Sequence, residues 1–279
     1  MAPDISVIIP AFRRPKELLD AIASVLRQRN VTVEIIVVDD SPEAAAREPV
    51  QGLDDPRVFY MKNANPTGGF PSIVRNLGWP RARGTFIHFL DDDDIVPDGH
   101  YAEVLKAFAD HPESGILFGR IEPFGTAPDS QLAHERQFFE QAARKARACN
   151  KLGPRWAFVG RMLFDQLLFV CSACVLRREC VEQLEGFDSD IRLMEDADFH
   201  IRAMRRFGAF YMDRVSLHYR VGAPSLMHSP NPSEVQLRDE REGHRLIHSK
   251  YRRERGHLEY YALQVFTRTL LKIGSERPH

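Results

Sequence analysis

No apolar run in this chain reaches the length of about 18 residues that a membrane-crossing helix needs. The opening "MAPDISVIIP" sets an acidic residue before an apolar run too short for the core of a secretory signal, so neither a span nor export by that route is expected. Cysteine is scarce. Of Cys149, Cys171, Cys174 and Cys180, only Cys171 and Cys174 form a C-x-x-C, and no second pair at zinc spacing exists. Reduced thiols in a cytoplasmic protein are the expectation. Charge of one sign is also missing: 38 Lys and Arg face 39 Asp and Glu, for a net charge of −1. That leaves no global field to recruit nucleic acid. Repeats and low-complexity segments are absent too.

What is present is a globular composition, 43% hydrophobic and 28% charged over 279 residues, enough for a large core. Strand and helix signals alternate. Residues 5–10, "ISVIIP", and 33–40, "VEIIVVDD", are continuous β-branched runs, as in strands buried on both faces of a parallel sheet. Between them "PKELLDAIASVLRQ" places Pro15 in a first helical turn and Leu18, Leu19, Ile22, Val25 and Leu26 on one face. "RVFYMKN" predicts a third strand, "PSIVRNLG" a short helix and "GTFIHFL" a fourth strand. The order predicts a doubly wound, mostly parallel α/β sheet, whose ligands lie at the carboxyl ends of its strands. Further on, "GHYAEVLKAFADHP" and "DSQLAHERQFFEQAARKARACNK" predict helices, "GILFGRIEPF" a strand, and "FVCSACVLRREC" a strand entering a helix. From about residue 233 the chain predicts an amphipathic helical appendage.

The densest charge follows the fourth strand: "FLDDDDIVPDG" carries Asp91, Asp92, Asp93 and Asp94 in succession. At about 5 Å separation and an effective dielectric near 20, each like-charged pair costs roughly 3 kcal/mol, so cations are expected close by. In an extended chain Asp91 and Asp93 face one way and Asp92 and Asp94 the other, unless a turn intervenes. One such pair suits a hard divalent cation, manganese or magnesium, that completes its shell with phosphate oxygens. A solvated acidic turn is the plain alternative, and the strand-end position favours function. Asp39 and Asp40 end the second strand in the same way, with turn capping before Ser41 and Pro42 as their alternative. A second acidic pair, Glu195 and Asp196 in "LMEDADF", opens a predicted helix running to Gly208, where acids are favoured by the helix dipole alone.

Five segments, "SVIIPAFRRPKELLDAIASVLRQ", "EIIVVDDSPE", "GGFPSIVRNLGWPRARGTFIHFLDDDDIVPDG", "CVLRRECVEQLEGFDSDIRLMEDADFHIRAMRRFG" and "LHYRVGAPSLMHS", together resemble family 2 glycosyltransferases of the A-type, Rossmann-like fold, in order and spacing. The resemblance covers residues 4–229. It implies an inverting enzyme that moves a sugar from a nucleotide diphosphate donor, most often a UDP-sugar, to an acceptor nucleophile with a divalent cation on the diphosphate. By the same resemblance Pro10, Ala11, Phe12 and Arg13 border the base, and Asp39 or Asp40 accepts its imide proton. Arg75 and Asn76 in "VRNLG" match the family's segment near the nucleotide. The family's D-x-D falls on Asp91 to Asp93, with Asp92 near the ribose and Asp93, with Asp91, on the metal; a slip by one residue is open. Asp196, or Glu195 in the reverse assignment, is the implied catalytic base.

Many relatives carry a histidine where this chain has Gly222, so a third metal ligand is His218, His228 or none. Pro80 predicts that the helix before it ends near Gly78. The implied organisation is a nucleotide-sugar-binding half (1–97), an acceptor-binding and catalytic half (98–229) and the helical appendage (230–279). Two other functions fit paired carboxylates on such a fold. One is a metal-dependent nucleotidyltransferase, disfavoured because "PAFRRP" is not a Gly-rich, lysine-bearing loop. The other is an inactive nucleotide-sugar-binding scaffold, disfavoured by two intact acid sets. The acceptor is unnamed by the sequence: a glycan, lipid-linked glycan, protein or small molecule. Basic and aromatic residues interleave in residues 244–274, which suits a peripheral contact with an anionic membrane or a homo-oligomer contact. The plainer expectation there is packing on the chain's own core by Leu258, Tyr261, Leu263, Val265, Phe266 and Leu270.

Overall fold

The structure, a computed structural model, describes residues 2–222 and 233–275. Strands β1 (Ile5–Ala11) and β2 (Val33–Asp39) flank helix α1 (Pro15–Leu26), followed by α2 (Arg47–Gln51), β3 (Val58–Lys62), α3 (Pro71–Gly78) and β4 (Phe86–Phe89). Helix α4 (His100–Asp110), strand β5 (Ile116–Gly125), helices α5 (Asp129–Lys151) and α6 (Pro154–Phe164), strand β6 (Cys174–Arg177) and helix α7 (Arg178–Leu184) come next. The described chain ends with α8 (Glu195–Phe207), β7 (Ala209–Val221) and α9 (Glu234–Ser275).

Among the described residues, the seven strands join one sheet in the order β3-β2-β1-β4-β6-β5-β7. β3, β2, β1 and β4 run parallel, β6 runs antiparallel to both its neighbours, and β7 is parallel to β5. Every residue of β2 is buried and β1 is buried but for Pro10, which is why their sequences read as apolar runs, interrupted inside by Ser6 and Glu34, which bond each other at 2.6 Å. Edge strand β3 is only half-buried. The register sets Ala11 beside Asp39 and Ile8 beside Phe89, so the chain leaves β1, β2 and β4 at one edge of the sheet. Residues 12–14, Asp39–Asp40 and Asp91–Asp94 are gathered there.

Helix α3 ends at Gly78 and continues as a 3-10 turn through Pro80, as that proline requires. Strand β7 has no clean sequence signal, because Asp213 and Arg214 interrupt its apolar alternation. Its pairing with β5 slips on both sides of Arg120, so that residues 212–214 bulge. The bulge crowds Gly119, where a Cβ would sit 2.5 Å from the Arg214 carbonyl oxygen.

The helical appendage packs differently from the expectation. Helix α9 breaks at Gly256 (φ 82°), and beyond the break Leu263 is buried and Phe266 half-buried, whereas Leu258, Tyr261 and Val265 are exposed. The corrected face follows from helical spacing, since residues 258, 261 and 265 share the side opposite 260, 263 and 267. The side chain of Leu270 lies outside the described residues. Among the described residues no helix is long and apolar enough to cross a membrane.

Candidate active site

A turn does intervene in the aspartate run: the Asp94 amide donates to the Asp91 carbonyl at 3.3 Å. Exposure nonetheless alternates, with Asp92 and Asp94 buried and Asp91 and Asp93 only partly so. The cations that four carboxylates demand are arginines. Arg75 Nη2 donates to Asp91 at 2.7 Å. Arg14 Nη1 donates to Asp92 at 3.1 Å and to Asp93 at 2.7 Å, and the Phe12 amide donates to the second oxygen of Asp92. Arg220, on β7, donates its amide to Asp94 and its Nε to the Asp93 carbonyl. Burial outweighs these partners. It pushes Asp92 up to about 7 against the pull of Arg14, and Asp93 to about 6. Asp94, buried beside Asp93 and Asp91, is driven well above the carboxylate range, and its Oδ2 has no hydrogen-bond partner among the described residues.

The second acid pair comes from the start of α8. Met194 takes a left-handed conformation (φ 70°) that starts α8 and sets Glu195 and Asp196 in its first turn. Arg75, only 3% exposed, reaches across: Nη1 donates to Glu195 at 2.9 Å while Nη2 holds Asp91. One guanidinium therefore ties the strand-end turn to the start of α8. Asn76, the next residue, exchanges hydrogen bonds with the Phe187 backbone and so fixes α3 to the loop before α8. Glu195 is pushed up to about 7 by burial and by neighbouring Asp196, with Arg75 opposing. Asp196 is half-buried, and its carboxyl is raised by burial despite Arg75. The thiols of Cys171 and Cys174 are buried, driven up by desolvation, and sense Arg75 and Asp196.

Other expected residues take different positions. The Asp39 carboxylate accepts from the Ser41 and Ala46 amides and the Tyr60 hydroxyl. Asp40 accepts from Asn63, from the Thr67 amide and hydroxyl, and from the Gly69 amide, bonds that hold it below its ordinary value although burial opposes them. Asp39 therefore organises the loop after β2, and Asp40 the loop after β3. Pro10 and Ala11 close β1, and Phe12 lies against Gly69. Arg13 turns outward (φ 58°) to exposed Glu43, so its neighbour Arg14 meets the acids. His218 pairs with Glu122 at 3.6 Å and packs edge-on to Phe124, and only its backbone, bonded to Ile95, adjoins the acid turn. Gly222 sits at φ 109°, and a Cβ there would come within 2.6 Å of the Ala127 amide nitrogen, so this backbone leaves no room for the histidine of relatives. His228 lies outside the described residues.

Sequence reasoning missed Arg14, Arg220 and Ser172, whose hydroxyl accepts the Asp91 amide. The charge argument called for cations beside the four acids without naming one, and nothing in the local pattern pointed at Arg220, 126 residues beyond Asp94.

Residues 6–184 match Glycosyl transferase family 2. The chain is 39% identical over 106 residues to GalNAc(5)-diNAcBac-PP-undecaprenol beta-1,3-glucosyltransferase of Campylobacter jejuni, covering 37% of this chain and 34% of that protein. It is 37% identical over 228 residues to the minor teichoic acid biosynthesis protein GgaB of Bacillus subtilis, covering 78% of this chain and 23% of that protein. The chain thus spans about a third or less of the length of these relatives. Among solved structures, S. aureus TarS 1–349 in complex with UDP superposes with a TM-score of 0.60 at 19% identity, covering 90% of this chain and 66% of that one. The mannosyltransferase PcManGT of Pyrobaculum calidifontis, in complex with GDP-Man and Mn2+, superposes at 0.56 and 16% identity, covering all of this chain and 77% of that one. A family match over most of the chain, on a sheet of this topology with acids at its strand ends, makes the protein a member of glycosyl transferase family 2, with the A-type α/β fold.

Proposed function

We propose that the chain is an inverting glycosyltransferase that moves a sugar from a UDP-sugar to an acceptor nucleophile with a divalent cation on the diphosphate. The observation that carries this reading is the Arg75 bridge between Asp91 and Glu195, which sets a candidate base beside the acid turn at the strand ends.

The acid turn fits a magnesium or manganese ion. Its donors are hard carboxylate oxygens, its outward pair Asp91 and Asp93 keeps 34% and 14% of the side chain exposed, and the buried Oδ2 of Asp94 has no hydrogen-bond partner among the described residues. Among the described residues no cluster of three or more candidate ligands is assembled. Asp93 and Asp91 would hold it, and bound there it would neutralise charge on the departing diphosphate. Asp92, between Arg14 and the Phe12 amide, would meet the ribose.

Direct displacement at an anomeric carbon needs a carboxylate to take the acceptor proton as the bond forms. Asp196 suits that part, because it is the more exposed member of its pair and its raised basicity strengthens it as a proton acceptor. Glu195, buried and bonded to Arg75, would fix the position of that site. A preference for uracil rests on Asp39 and Asp40, since a carboxylate accepts only and uracil offers an imide N–H. The imide would displace a bond from Tyr60, Thr67 or Gly69. TarS was solved with UDP, while PcManGT was solved with GDP-Man, so the base needs its own measurement. A thermal-shift screen of uridine, guanosine and thymidine diphosphates and their sugars, with manganese or chelator, supplies it. The reading expects the largest stabilisation from uridine compounds with manganese; stronger stabilisation by guanosine or thymidine donors would replace the base assignment, and indifference to chelator would remove the metal.

The exposed face of α9 is assigned to an anionic membrane surface at the cytoplasmic side. Leu258, Tyr261 and Val265 offer apolar area, and exposed Arg268 on the same segment, with Arg253 and Arg255 just before the Gly256 break, offers positive charge.

A further inference from the structure

A cavity of about 530 Å³ lies apart from the acid turn, between β5 and α5, and arginines converge on it from both elements. Arg120 comes from β5 and Arg136, Arg144 and Arg147 from α5, against the carboxylates of Glu122 and Glu140. Arg136, Glu140 and Arg144 stand four residues apart on one helical face, a spacing that alone describes a solvated charge ladder. Two features exceed a ladder. Arg120 faces the ladder from the strand, placed where the register slip re-aims the backbone. The same bulge supplies Asp213, whose two oxygens hold Arg147 in a bidentate pair at 2.6 and 3.0 Å and fix one wall. Among the described residues, Arg120, Arg136 and Arg144 form no ion pair within 4.0 Å. Ile121 and Phe139 floor the cavity with apolar surface.

The cavity also adjoins the candidate active site. The Phe139 ring packs edge-on to Tyr219 at 5.6 Å, and the next residue along β7, Arg220, donates to Asp94 and to the Asp93 carbonyl. Glu122 is paired in register with His218, whose backbone bonds Ile95 directly after the acid turn.

We infer that this cavity binds a phosphate group carried by the sugar acceptor, with guanidinium forks on the phosphate and the Phe139 floor against the attached sugar. Planar guanidinium groups converging from two elements match phosphate geometry, which single lysines would not. The inference rests on the glycosyltransferase reading for the word acceptor, and on the cavity alone for phosphate.

The test titrates the full chain, saturated with UDP and manganese so that the donor site is filled, with inorganic phosphate and separately with glucose 1-phosphate, followed by calorimetry. Saturable binding is expected, tighter for the sugar phosphate, and at least about tenfold weaker in Arg136→Gln/Arg144→Gln, since each lost charged contact is worth about tenfold. Arg241→Gln on α9, an equal charge change per site on an element with no part in the cavity, should bind like the parent protein. Thermal melts confirm that each variant is folded. Equal binding by the parent and the double variant would overturn the site, as would the absence of saturable binding. Equal affinity for inorganic phosphate and sugar phosphate would overturn its assignment to an acceptor. Donor hydrolysis by the parent protein, read on the same samples, judges the transferase reading separately.

Discussion

Arg75 is the side chain on which both acid sets depend, because it is buried and its two Nη groups are committed to Asp91 and Glu195. Arg75→Met removes one partner from a buried pair and leaves Glu195 uncompensated, a loss of about 3–5 kcal/mol in such settings. Chemical denaturation should show it; a loss under about 1 kcal/mol would mean that the bridge carries little of the site's stability. Titration supplies a second check. The folded state holds Asp92 at about 7 against an ordinary 3.8, so between those values the native protein binds more protons than the unfolded chain. Stability from this group is full at the acid end and is lost as pH rises toward 7. Asp92→Asn removes that slope, and melts at pH 5 and 7.5 should lie closer together in the variant than in the parent. For activity the sign reverses in meaning: a base must be unprotonated, so turnover should fall as pH drops through the raised carboxyl of the Glu195–Asp196 pair, above the range of an exposed acid.

At the scale of elements, the sheet was largely legible and its last strand was not. Residues 5–10, 33–40 and 84–90 are β-branched or apolar runs between helix signals, and they contain or overlap β1, β2 and β4. Strand β7 escaped because its bulge admits Asp213 and Arg214 where alternation requires apolar residues, and only tertiary pairing with β5 decides the matter. The site followed the same division. Acids at strand ends and at the start of α8 were readable, whereas Arg220 reaches Asp94 through a fold-level closure that no local pattern encodes. Gly222 offers an element-level test. Gly222→His would set a β-carbon at φ 109° against the Ala127 amide, with strain on the order of 1–3 kcal/mol and no gain in manganese affinity. Tighter manganese binding by that variant would instead show that the backbone adapts and that the site has room for a third ligand. Helix α9 offers another: the parent protein should float with anionic vesicles, and Leu258→Glu/Val265→Glu should remain at the bottom of the gradient, since the change replaces the exposed apolar stripe with like charge to the lipid. Flotation of both proteins, or of neither, would remove the membrane assignment.

At the scale of the whole molecule, the parallel half of the sheet delivers Phe12, Arg14 and the aspartate turn to one edge, and α8 delivers Glu195 and Asp196 to the same place through Arg75. The proposed metal-assisted donor binding and proton removal fall on different segments, and under that proposal the two functions should separate on mutation. The direct measurement is release of nucleoside diphosphate from a UDP-sugar with manganese, together with donor affinity, for the parent protein, Asp93→Asn and Asp196→Asn. The account predicts weakened donor binding in Asp93→Asn, and in Asp196→Asn near-parental donor affinity with turnover reduced by about 10² to 10⁴. Parental turnover in folded Asp196→Asn with collapse in Glu195→Gln would move the base to Glu195, and parental turnover in Asp93→Asn, Asp196→Asn and Glu195→Gln alike would contradict the assignment of chemistry to these carboxylates.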